Sequence, residues 1–356
     1  MSEAASYALV MNAEFIEQLH ERIERATRRV YVQVMTYDGD DAGLGVTERL
    51  IAAAARGVDV RIVVDSFAFR YVSDTRSNQP AVAEEVAATH AMFDRLESSG
   101  VQVVYVNPFG RILQFGAFRN HKKIYVLDDV AYIGGINISD HNFAWLDFNV
   151  ALTDTSTVEI LASDFEATCR GERRSLDGPV ITNDELPPLF WDLVDSAEES
   201  IVLASPYALD LVLADRLLAA PAKRKVVIAP EQNNMRLFRL SDPYIRQKLR
   251  DGGVELRSFT NFFHAKFAVF DDERALVGSS NFGVHSFTCN QELAMVIDDP
   301  AFLSQLTDVL DKTEEFTVTP SRIDYLVGRF AANYMRAGIF AYNAAFGRHA
   351  PTITTR

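Results

Sequence analysis

Apolar residues recur along the chain with two different periods, and these periods follow one another in a regular order. At 13–28 they lie three and four positions apart, which predicts an amphipathic helix. The run VYVQVMTY at 30–37 is rich in β-branched and aromatic residues and predicts a strand. The same criteria predict a helix that ends at Gly57, a strand at 58–67, a helix over 81–98 and a strand at 101–106.

The second half of the chain predicts the same succession of elements. Helices are predicted at 186–198, 209–219 and 243–251, and strands at 200–205, 225–230 and 254–259. Strands that alternate with helices are typical of α/β layers around largely parallel sheets. The segment LESSGVQVVYV at 96–106 pairs with LRDGGVELRSF at 249–259, which indicates a duplicated unit. We therefore predict an α/β fold of two pseudo-symmetric α-β-α halves with mixed, largely parallel sheets.

The segment between the two series is charged and rich in turn formers. It predicts the domain boundary, so that the chain divides into a first half at 1–168, a linker at 169–188, a second half at 189–316 and a C-terminal helical segment at 317–356.

The charge, cysteine content and apolar runs of the chain exclude some classes of function and setting. The 356 residues carry a formal net charge of −14, and such a field repels polyanions at long range. We therefore expect no nucleic-acid partner. Two cysteines, Cys169 and Cys289, are too few for a disulfide framework, so a reduced, cytoplasmic setting is expected. We predict no signal peptide, because the N-terminal residues do not show a basic start followed by an apolar core, and no membrane span, since no apolar run reaches ~18 residues.

Each half ends in a motif of the same form. The first is NHKKIYVLDDVAYIGGIN, with its core at 121–137, and the second is HAKFAVFDDERALVGSSN at 264–281. One His-x-Lys tripeptide occurs often by chance, whereas two extended copies at matching places are specific. The matched pairs are His121 with His264, Lys123 with Lys266, Asp128 with Asp271, Gly135 with Ser279, and Asn137 with Asn281.

Strand geometry assigns the motif residues to two groups. Residues two apart on a strand share a face, so His264 and Lys266 are expected to project together, as are His121 and Lys123. Asp271 lies roughly 23 Å farther along a straight strand, at ~3.3 Å per residue. We therefore predict that Asp271 and its counterpart Asp128 are turn carboxylates that bind local N–H groups and are not catalytic.

The strand that follows each turn is expected to return beside the histidine. There the motif glycines permit close backbone approach, and Ser279, Asn137 and Asn281 supply neutral hydrogen-bond donors. If a pseudo-twofold axis brings the halves together, these groups form a cationic socket suited to a phosphate. Two histidines then permit in-line displacement, one as nucleophile and one as general acid and base, with no metal or cofactor required.

A carboxylate is expected to orient the attacking imidazole. The candidates are Glu292, which we favour, and Asp147. His141 and His285 each lie four residues past the motif asparagine, and ligand contact or a supporting role fits them equally well. We assign lower-ranked substrate binding to Gly135, His141, His285 and Asp147.

The twin motifs resemble those of the phospholipase D superfamily, and AAAARGVDVRIVVDSF, NHKKIYVLDDVAYIGGINISD and WLDFNVAL are most similar to its bacterial cardiolipin synthase branch. The resemblance implies a phospholipase D-like fold with its active site at the interface between halves. It also implies a covalent phosphohistidine, no metal, His121 as nucleophile and His264 as general acid and base. Departures are Gly135 at a serine position, a motif turn shorter by one residue, and histidines where many synthases have arginine.

The expected function is therefore phosphatidyl transfer or phospholipid hydrolysis. The alternatives are a metal-independent phosphodiesterase that acts on nucleic acid and a binding protein without catalysis. The apolar insert at 107–119 and the aromatic, arginine-containing segment at 321–349 are candidate membrane contacts, with loop packing and core or subunit coverage as rival interpretations. A phospholipid partner and a peripheral place on the cytoplasmic membrane face follow as expectations.

Overall fold

In the computed structural model, the first helix shows how the predicted periodicity becomes a core. Helix α1 (Asn12–Arg25) fully buries Phe15, Leu19 and Ile23, which lie four positions apart on one face. The structure describes residues 7–346 except 112, 114, 177, 208–209, 232, 234, 260–261 and 317–318. The chain forms two compact units that divide between Thr182 and Asn183.

The first unit alternates strands and helices as predicted. Its elements are β1 (Tyr7–Met11), α1 (Asn12–Arg25), β2 (Arg29–Val34), α2 (Asp41–Ala55), β3 (Asp59–Asp65), β4 (Tyr71–Val72), β5 (Thr75–Arg76), α3 (Ala83–Ser98), β6 (Gln102–Val106), β7 (Arg119–Asn120), β8 (Ile124–Leu127), β9 (Val130–Gly134), α4 (Asp140–Ala144), β10 (Phe148–Leu152), α5 (Thr155–Cys169) and β11 (Val180–Thr182).

The main sheet of the first unit has the order β1-β10-β9-β8-β2-β3-β6. Strands β2, β3 and β6 pair in parallel, whereas β8, β9, β10 and β1 add antiparallel pairings. Helices cover both faces of this sheet. Val30 and Val32 belong to the core shared with α1 and α2, and Tyr31 between them stacks on Phe165 of α5 at 4.8 Å. This unit is therefore an α-β-α sandwich.

The second unit repeats the series. Its elements are α6 (Leu186–Ser196), β12 (Ser200–Ala204), α7 (Leu211–Ala219), β13 (Arg224–Ile228), α8 (Arg236–Asp251), β14 (Glu255–Ser258), β15 (Phe267–Phe270), β16 (Arg274–Gly278), α9 (Val284–Cys289), β17 (Asn290–Gln291), β18 (Leu293–Ile297), α10 (Pro300–Leu310), β19 (Glu314–Glu315) and α11 (Arg322–Phe346). Seven of its eight described strands, all except β17, form one sheet in the order β18-β16-β15-β12-β13-β14-β19, with β12, β13 and β14 parallel.

The α/β class and the mixed sheets are confirmed. The parallel pairings come from the predicted strand–helix alternation, and the motif hairpins β8–β9 and β15–β16 add antiparallel strands that this alternation does not reveal. Helix α8 was predicted to begin at Pro243 but begins at Arg236 and continues through the proline. Among the described residues, no helix combines the length and apolar character needed to cross a membrane.

The motif carboxylates fasten each hairpin to the central strand of its sheet. Asp128 accepts hydrogen bonds from the backbone N–H groups of residues 27–29, each at 2.9 Å, at the entrance to β2. Asp271 does the same with residues 198–200, at 2.8–3.2 Å, at the entrance to β12. The bound N–H groups are therefore not local, because they lie about one hundred and about seventy residues earlier in the chain.

These hydrogen bonds also set the charge state of the two carboxylates. Partial burial raises the pKa of Asp128, but hydrogen bonds from Arg29, Thr27 and Arg28 outweigh burial and bring the pKa below its usual value. The pKa of Asp271 is lowered by the same balance. Both side chains are therefore ionised at neutral pH and bind the N–H groups as carboxylates.

We predict that Asp128→Asn lowers the free energy of unfolding by about 2 kcal/mol, because charge-assisted hydrogen bonds to three N–H groups are weakened. Because the folded pKa lies below the unfolded one, this stabilisation is present above about pH 4 and is lost as pH falls through the folded pKa. Urea denaturation at pH 7 and at successively lower pH measures both effects, and the difference between variant and parent should shrink as the pH falls below about 4.

Asp129→Asn is the matched control, because Asp129 is the exposed neighbour in the same turn. It should leave the urea midpoint within the error of the parent. Equal losses in the two variants would show that general charge, and not the hydrogen bonds of Asp128, stabilises this corner.

Candidate active site

The histidine and lysine of each motif lie in a short extended segment immediately before the motif strand. His121 and Lys123 precede β8, and His264 and Lys266 precede β15, so the prediction that they lie within the strand is wrong. All four side chains are nonetheless buried, with 7%, 0%, 6% and 2% of their surfaces exposed in the same order. Burying an ammonium group costs several kcal/mol, which marks these sites as functional candidates.

Each lysine folds back onto its own histidine. Lys123 Nζ donates to the backbone oxygen of His121 at 2.8 Å. Lys266 Nζ donates to the backbone oxygen of His264 and also lies 2.7 Å from its Nδ1.

The antiparallel hairpins bring the second half of each motif back toward the first, as predicted. Ile124 pairs with Ile133 across β8–β9, and Phe267 pairs with Val277 across β15–β16. The glycine that ends each return strand was expected to admit a ligand. Instead, a Cβ at Gly134 would overlap the Asn149 side chain and the backbone of β10, and one at Gly278 would overlap the carbonyl of Leu293.

The motif asparagines are fixed by their side-chain oxygens. Asn137 Oδ1 accepts from the backbone N–H groups of Met35 and Thr36, at 3.1 and 3.3 Å, just past the end of β2. Asn281 Oδ1 lies 3.4 Å from the Ser205 hydroxyl, just past the end of β12. With the oxygen occupied in this way, each amide offers its Nδ2 group as the donor, and Asn137 Nδ2 lies 3.4 Å from Asn142 Oδ1.

The two candidate carboxylates occupy corresponding places but are held differently. Glu292 is 1% exposed, and its Oε2 accepts from the Ser279 hydroxyl at 2.5 Å while Oε1 accepts from Asn290 Nδ2 at 3.0 Å. Asp147, also 1% exposed, lies directly over Gly135, where a Cβ would come within 2.7 Å of Asp147 Oδ1. The glycine at the serine position of the first motif therefore makes room for the Asp147 carboxylate.

Several buried polar residues that support the first motif were missed from the sequence. Asp65, at the end of β3, is fully buried and accepts from Arg119 Nη1 and from the Asn120 backbone N–H, each at 2.6 Å. Lys122 forms a buried ion pair with Asp164 of α5 at 2.8 Å. These contacts hold the chain on either side of His121. The one signal in the sequence was an aspartate at the end of the otherwise apolar run IVVD.

The two trailing histidines lie on short helices. His141, on α4, has Nδ1 3.0 Å from the Ser139 hydroxyl and Nε2 2.9 Å from Asn142 Nδ2, and burial lowers its pKa. His285 is half-buried on α9. Neither placement tests the predicted contact with substrate.

His141 also belongs to a group whose geometry suits a metal ion. Its candidate ligand atom lies within 4.8 Å of those of Asp38 and Asp40, and no other such group occurs in the described part of the chain. Burial raises the pKa of Asp38 to about 8 and that of Asp40 to about 6. The two Asp40 oxygens already accept from the Gly43 and Asp140 N–H groups, at 2.9 and 2.6 Å. Helix capping therefore accounts for Asp40, and we assign no metal here.

The apolar insert before the first motif packs partly against arginines. Phe109 has Arg119 over its ring at 4.1 Å and Arg70 at 5.6 Å, and Phe118 is buried. Leu113 is 45% exposed. Positions 112 and 114 of the insert lie outside the described residues.

Comparison with known proteins identifies the family. The family model described as "Cardiolipin synthase, PLD-like domain" matches residues 19–169 and 190–313, which include both motifs. The chain belongs to this phospholipase D-like family. It is 27% identical over 321 residues to cardiolipin synthase A of Proteus mirabilis (strain HI4320), and 26% identical over 325 residues to cardiolipin synthase A of Yersinia pseudotuberculosis serotype O:1b (strain IP 31758). The aligned regions cover 78% and 79% of this chain but only 63% of each relative.

Solved structures agree with the phospholipase D-like fold. Phosphatidylserine synthase of Haemophilus influenzae Rd KW20 matches with a TM-score of 0.70 and 16% identity, covering 97% of this chain and 96% of that one. Polyphosphate kinase of Porphyromonas gingivalis matches with a TM-score of 0.60 and 12% identity, covering 94% of this chain and 56% of that one. At these identities the likeness shows the fold alone.

We predict that Gly135→Ala destabilises the phospholipase D-like chain by about 1–3 kcal/mol, because the added methyl group overlaps the Asp147 carboxylate. In the Asp147→Gly background, where the carboxylate is absent, Gly135→Ala should destabilise the protein less than it does in the parent. A double-mutant cycle of urea midpoints measures the coupling between the two positions.

Gly45→Ala is the matched control, because Gly45 lies inside α2 and a Cβ there would meet nothing closer than Arg49 Nη1 at 3.9 Å. Helix propensity predicts a gain of roughly 0.5–1 kcal/mol at this position. Additive effects of the Gly135 and Asp147 substitutions would contradict the assigned contact.

Proposed function

We propose that this chain transfers phosphatidyl groups between alcohols, or to water, through a covalent phosphohistidine. The observation that carries the proposal is the duplicated pair of buried side chains, His121 with Lys123 and His264 with Lys266. Each pair has the lysine folded onto its own histidine, and each precedes a strand anchored by a motif carboxylate. Such duplication of costly buried groups is expected for a shared chemical task.

In the first step of this mechanism, an imidazole nitrogen of His121 attacks the phosphorus of a phosphodiester. The bond between phosphorus and the leaving oxygen breaks, and His264, as an imidazolium, gives a proton to that oxygen and becomes neutral. The free alcohol departs, and the phosphatidyl group remains bound to His121.

In the second step, His264 accepts a proton from an incoming alcohol or from water. The oxygen of that molecule attacks phosphorus, the bond to His121 breaks, and the product phosphodiester or phosphatidic acid leaves. Protons balance over the cycle because the one given in the first step is recovered in the second.

Charge stabilisation in this proposal comes from the buried motif groups. Lys123 and Lys266 stabilise the non-bridging oxygens as the phosphorus becomes five-coordinate, and Asn137 and Asn281 contribute amide donors. We assign orientation of an imidazole to Glu292, whose carboxylate is held by Ser279. Asp147 is ranked second because it lies against Gly135.

The proposed substrate is a phospholipid at the cytoplasmic face of the membrane. Support comes from the names of the two relatives, both cardiolipin synthase A, although the chain spans only 63% of their length. The second candidate, cleavage of nucleic acid, uses the same chemistry. The net charge of −14 argues against it, because a polyanion is repelled at long range.

We predict that His121→Asn lowers turnover of phosphatidylglycerol by at least about 10³-fold, because no nucleophile remains. His264→Asn should behave differently with phosphatidyl-p-nitrophenol, whose leaving phenolate needs no proton. That variant should release p-nitrophenol in a burst equal to the enzyme concentration and retain a phosphatidyl adduct, which intact-protein mass spectrometry detects. All assays contain a chelator. Parallel assays replace the lipid with single-stranded DNA as the substrate.

His20→Asn, on α1 and outside both motifs, is the control and should keep parental activity. A burst in His121→Asn with none in His264→Asn would reverse the two roles. DNA cleavage by the parent without conversion of lipid would replace phosphatidyl transfer by the nuclease alternative.

A further inference from the structure

The long helix α11 presents an apolar face to the outside of the second unit. Ile323, Leu326, Val327, Phe330 and Tyr334 follow the three- and four-residue spacing of one helix face. They are 73%, 53%, 45%, 74% and 64% exposed in that order. Five large apolar side chains side by side on one exposed face exceed the scattered exposure that is normal for a monomer.

The opposite face of α11 is already committed to packing. Gly328, Ala331 and Ala332 are buried, and a Cβ at Gly328 would come within 3.0 Å of the Leu240 carbonyl oxygen and of Tyr244 Cβ in α8. Tyr325 contacts the Tyr244 ring edge-to-face at 5.1 Å. Small residues thus set α11 tightly on α8, and a rotation that would bury the apolar face is excluded by this contact.

A row of arginines borders the apolar face on one side. Arg322, Arg329 and Arg336 are seven residues apart and all exposed, so they follow the helix axis with little drift. The described helix has one acidic residue, Asp324, and the Ser321 hydroxyl donates to it at 2.7 Å. In a chain with a net charge of −14, this helix carries a net charge of +2, from three arginines and one aspartate.

We propose that α11 lies on an anionic phospholipid surface, with its apolar face inserted below the headgroups and its arginine row against the phosphates. An apolar stripe flanked by arginine is the signature of a helix that rests in the membrane interface. The proposal rests on the phospholipid substrate proposed above and specifies how the enzyme reaches it. Residues 347–349 of the segment predicted from sequence lie outside the described residues.

A membrane fits these observations better than a second copy of the chain. The buried centre of a protein interface is depleted in charge, and a symmetric partner would bring its own positive helix to the contact. Lipid phosphates supply the complementary negative charge along the whole arginine row, and the acyl region takes the apolar face. About 1 kcal/mol for each arginine, roughly fivefold in partition coefficient, is the usual electrostatic contribution.

Sedimentation with lipid vesicles tests the proposal. The full chain should bind vesicles of equal parts phosphatidylglycerol and phosphatidylcholine, and bind phosphatidylcholine vesicles far less. Replacing Arg322, Arg329 and Arg336 by Gln should lower the partition coefficient by roughly 100-fold, at about fivefold for each charge. Ile323→Ser/Phe330→Ser should lower it by at least about tenfold on the mixed vesicles, because apolar burial is lost.

Two control variants distinguish binding through α11 from a general effect of charge and from binding through the insert at 107–119. Replacing Arg25, Arg95 and Arg170 by Gln removes the same charge from other exposed positions, with side chains 78%, 50% and 53% exposed, and should change binding by less than about threefold. Leu113→Ser tests the insert at 107–119. If Leu113→Ser abolishes binding while the α11 variants keep it, the docking surface is the insert and the proposal is overturned.

Activity on dispersed short-chain phosphatidylglycerol distinguishes this proposal from the proposed function. The α11 variants should retain parental activity there, since no surface is involved, which also shows that they fold. If the parent is inactive on dispersed lipid, phosphatidyl transfer fails, whatever the vesicle result. Light scattering gives the oligomeric state of the parent and of Ile323→Ser/Phe330→Ser. If the parent is a dimer and this variant is a monomer that still binds vesicles like the parent, the apolar face of α11 contacts a second copy of the chain and the membrane proposal is overturned.

Discussion

The structure depends on the attachment of each motif hairpin to the strand at the centre of its sheet. Asp128 and Asp271 bind three consecutive backbone N–H groups, and their own N–H groups donate to Arg29 and Ser200, so the pairing of β8 with β2 and of β15 with β12 begins at a defined residue. A one-residue slip would exchange the two faces of the hairpin. The register of the strand that follows each histidine and lysine is therefore set by this one repeated set of hydrogen bonds.

Around this anchor, polar groups are placed inside the core and are held there by backbone atoms and by other polar side chains. The motif asparagines bind groups at the ends of β2 and β12, Asp65 binds the N–H of Asn120, and Lys122 pairs with Asp164. Each contact offsets part of the cost of removing a polar group from water. The result is a rigid arrangement in which the side chains proposed for catalysis are oriented before substrate arrives, which is what electrostatic stabilisation of a transition state requires.

Positive charge lies at two places that the proposed chemistry uses. The net charge of −14 is combined with buried lysines in both motifs and with an exposed arginine row on α11. Long-range repulsion and short-range attraction therefore act on different ligands. A polyanion such as nucleic acid experiences the whole field, whereas a phosphate held in a membrane surface meets the local cations at close range.

The sequence by itself determined the duplication, the α/β class, the alternating helices and parallel strands before the motifs, and the motif residues themselves; the edge strand β1 and the two- and three-residue strands β4, β5, β7 and β11 were not predicted. These depend on periodicity and spacing, which are local properties of the chain. Only the tertiary structure decided that Asp128 binds residues 27–29, that Asn137 binds Met35 and Thr36, and that Gly135 makes room for Asp147. It also decided that α8 runs through Pro243 and that α11 leaves its apolar face outward. Hydrogen bonds and packing between residues tens to a hundred positions apart depend on strand order, register and helix rotation, which the pattern of apolar and polar residues does not specify.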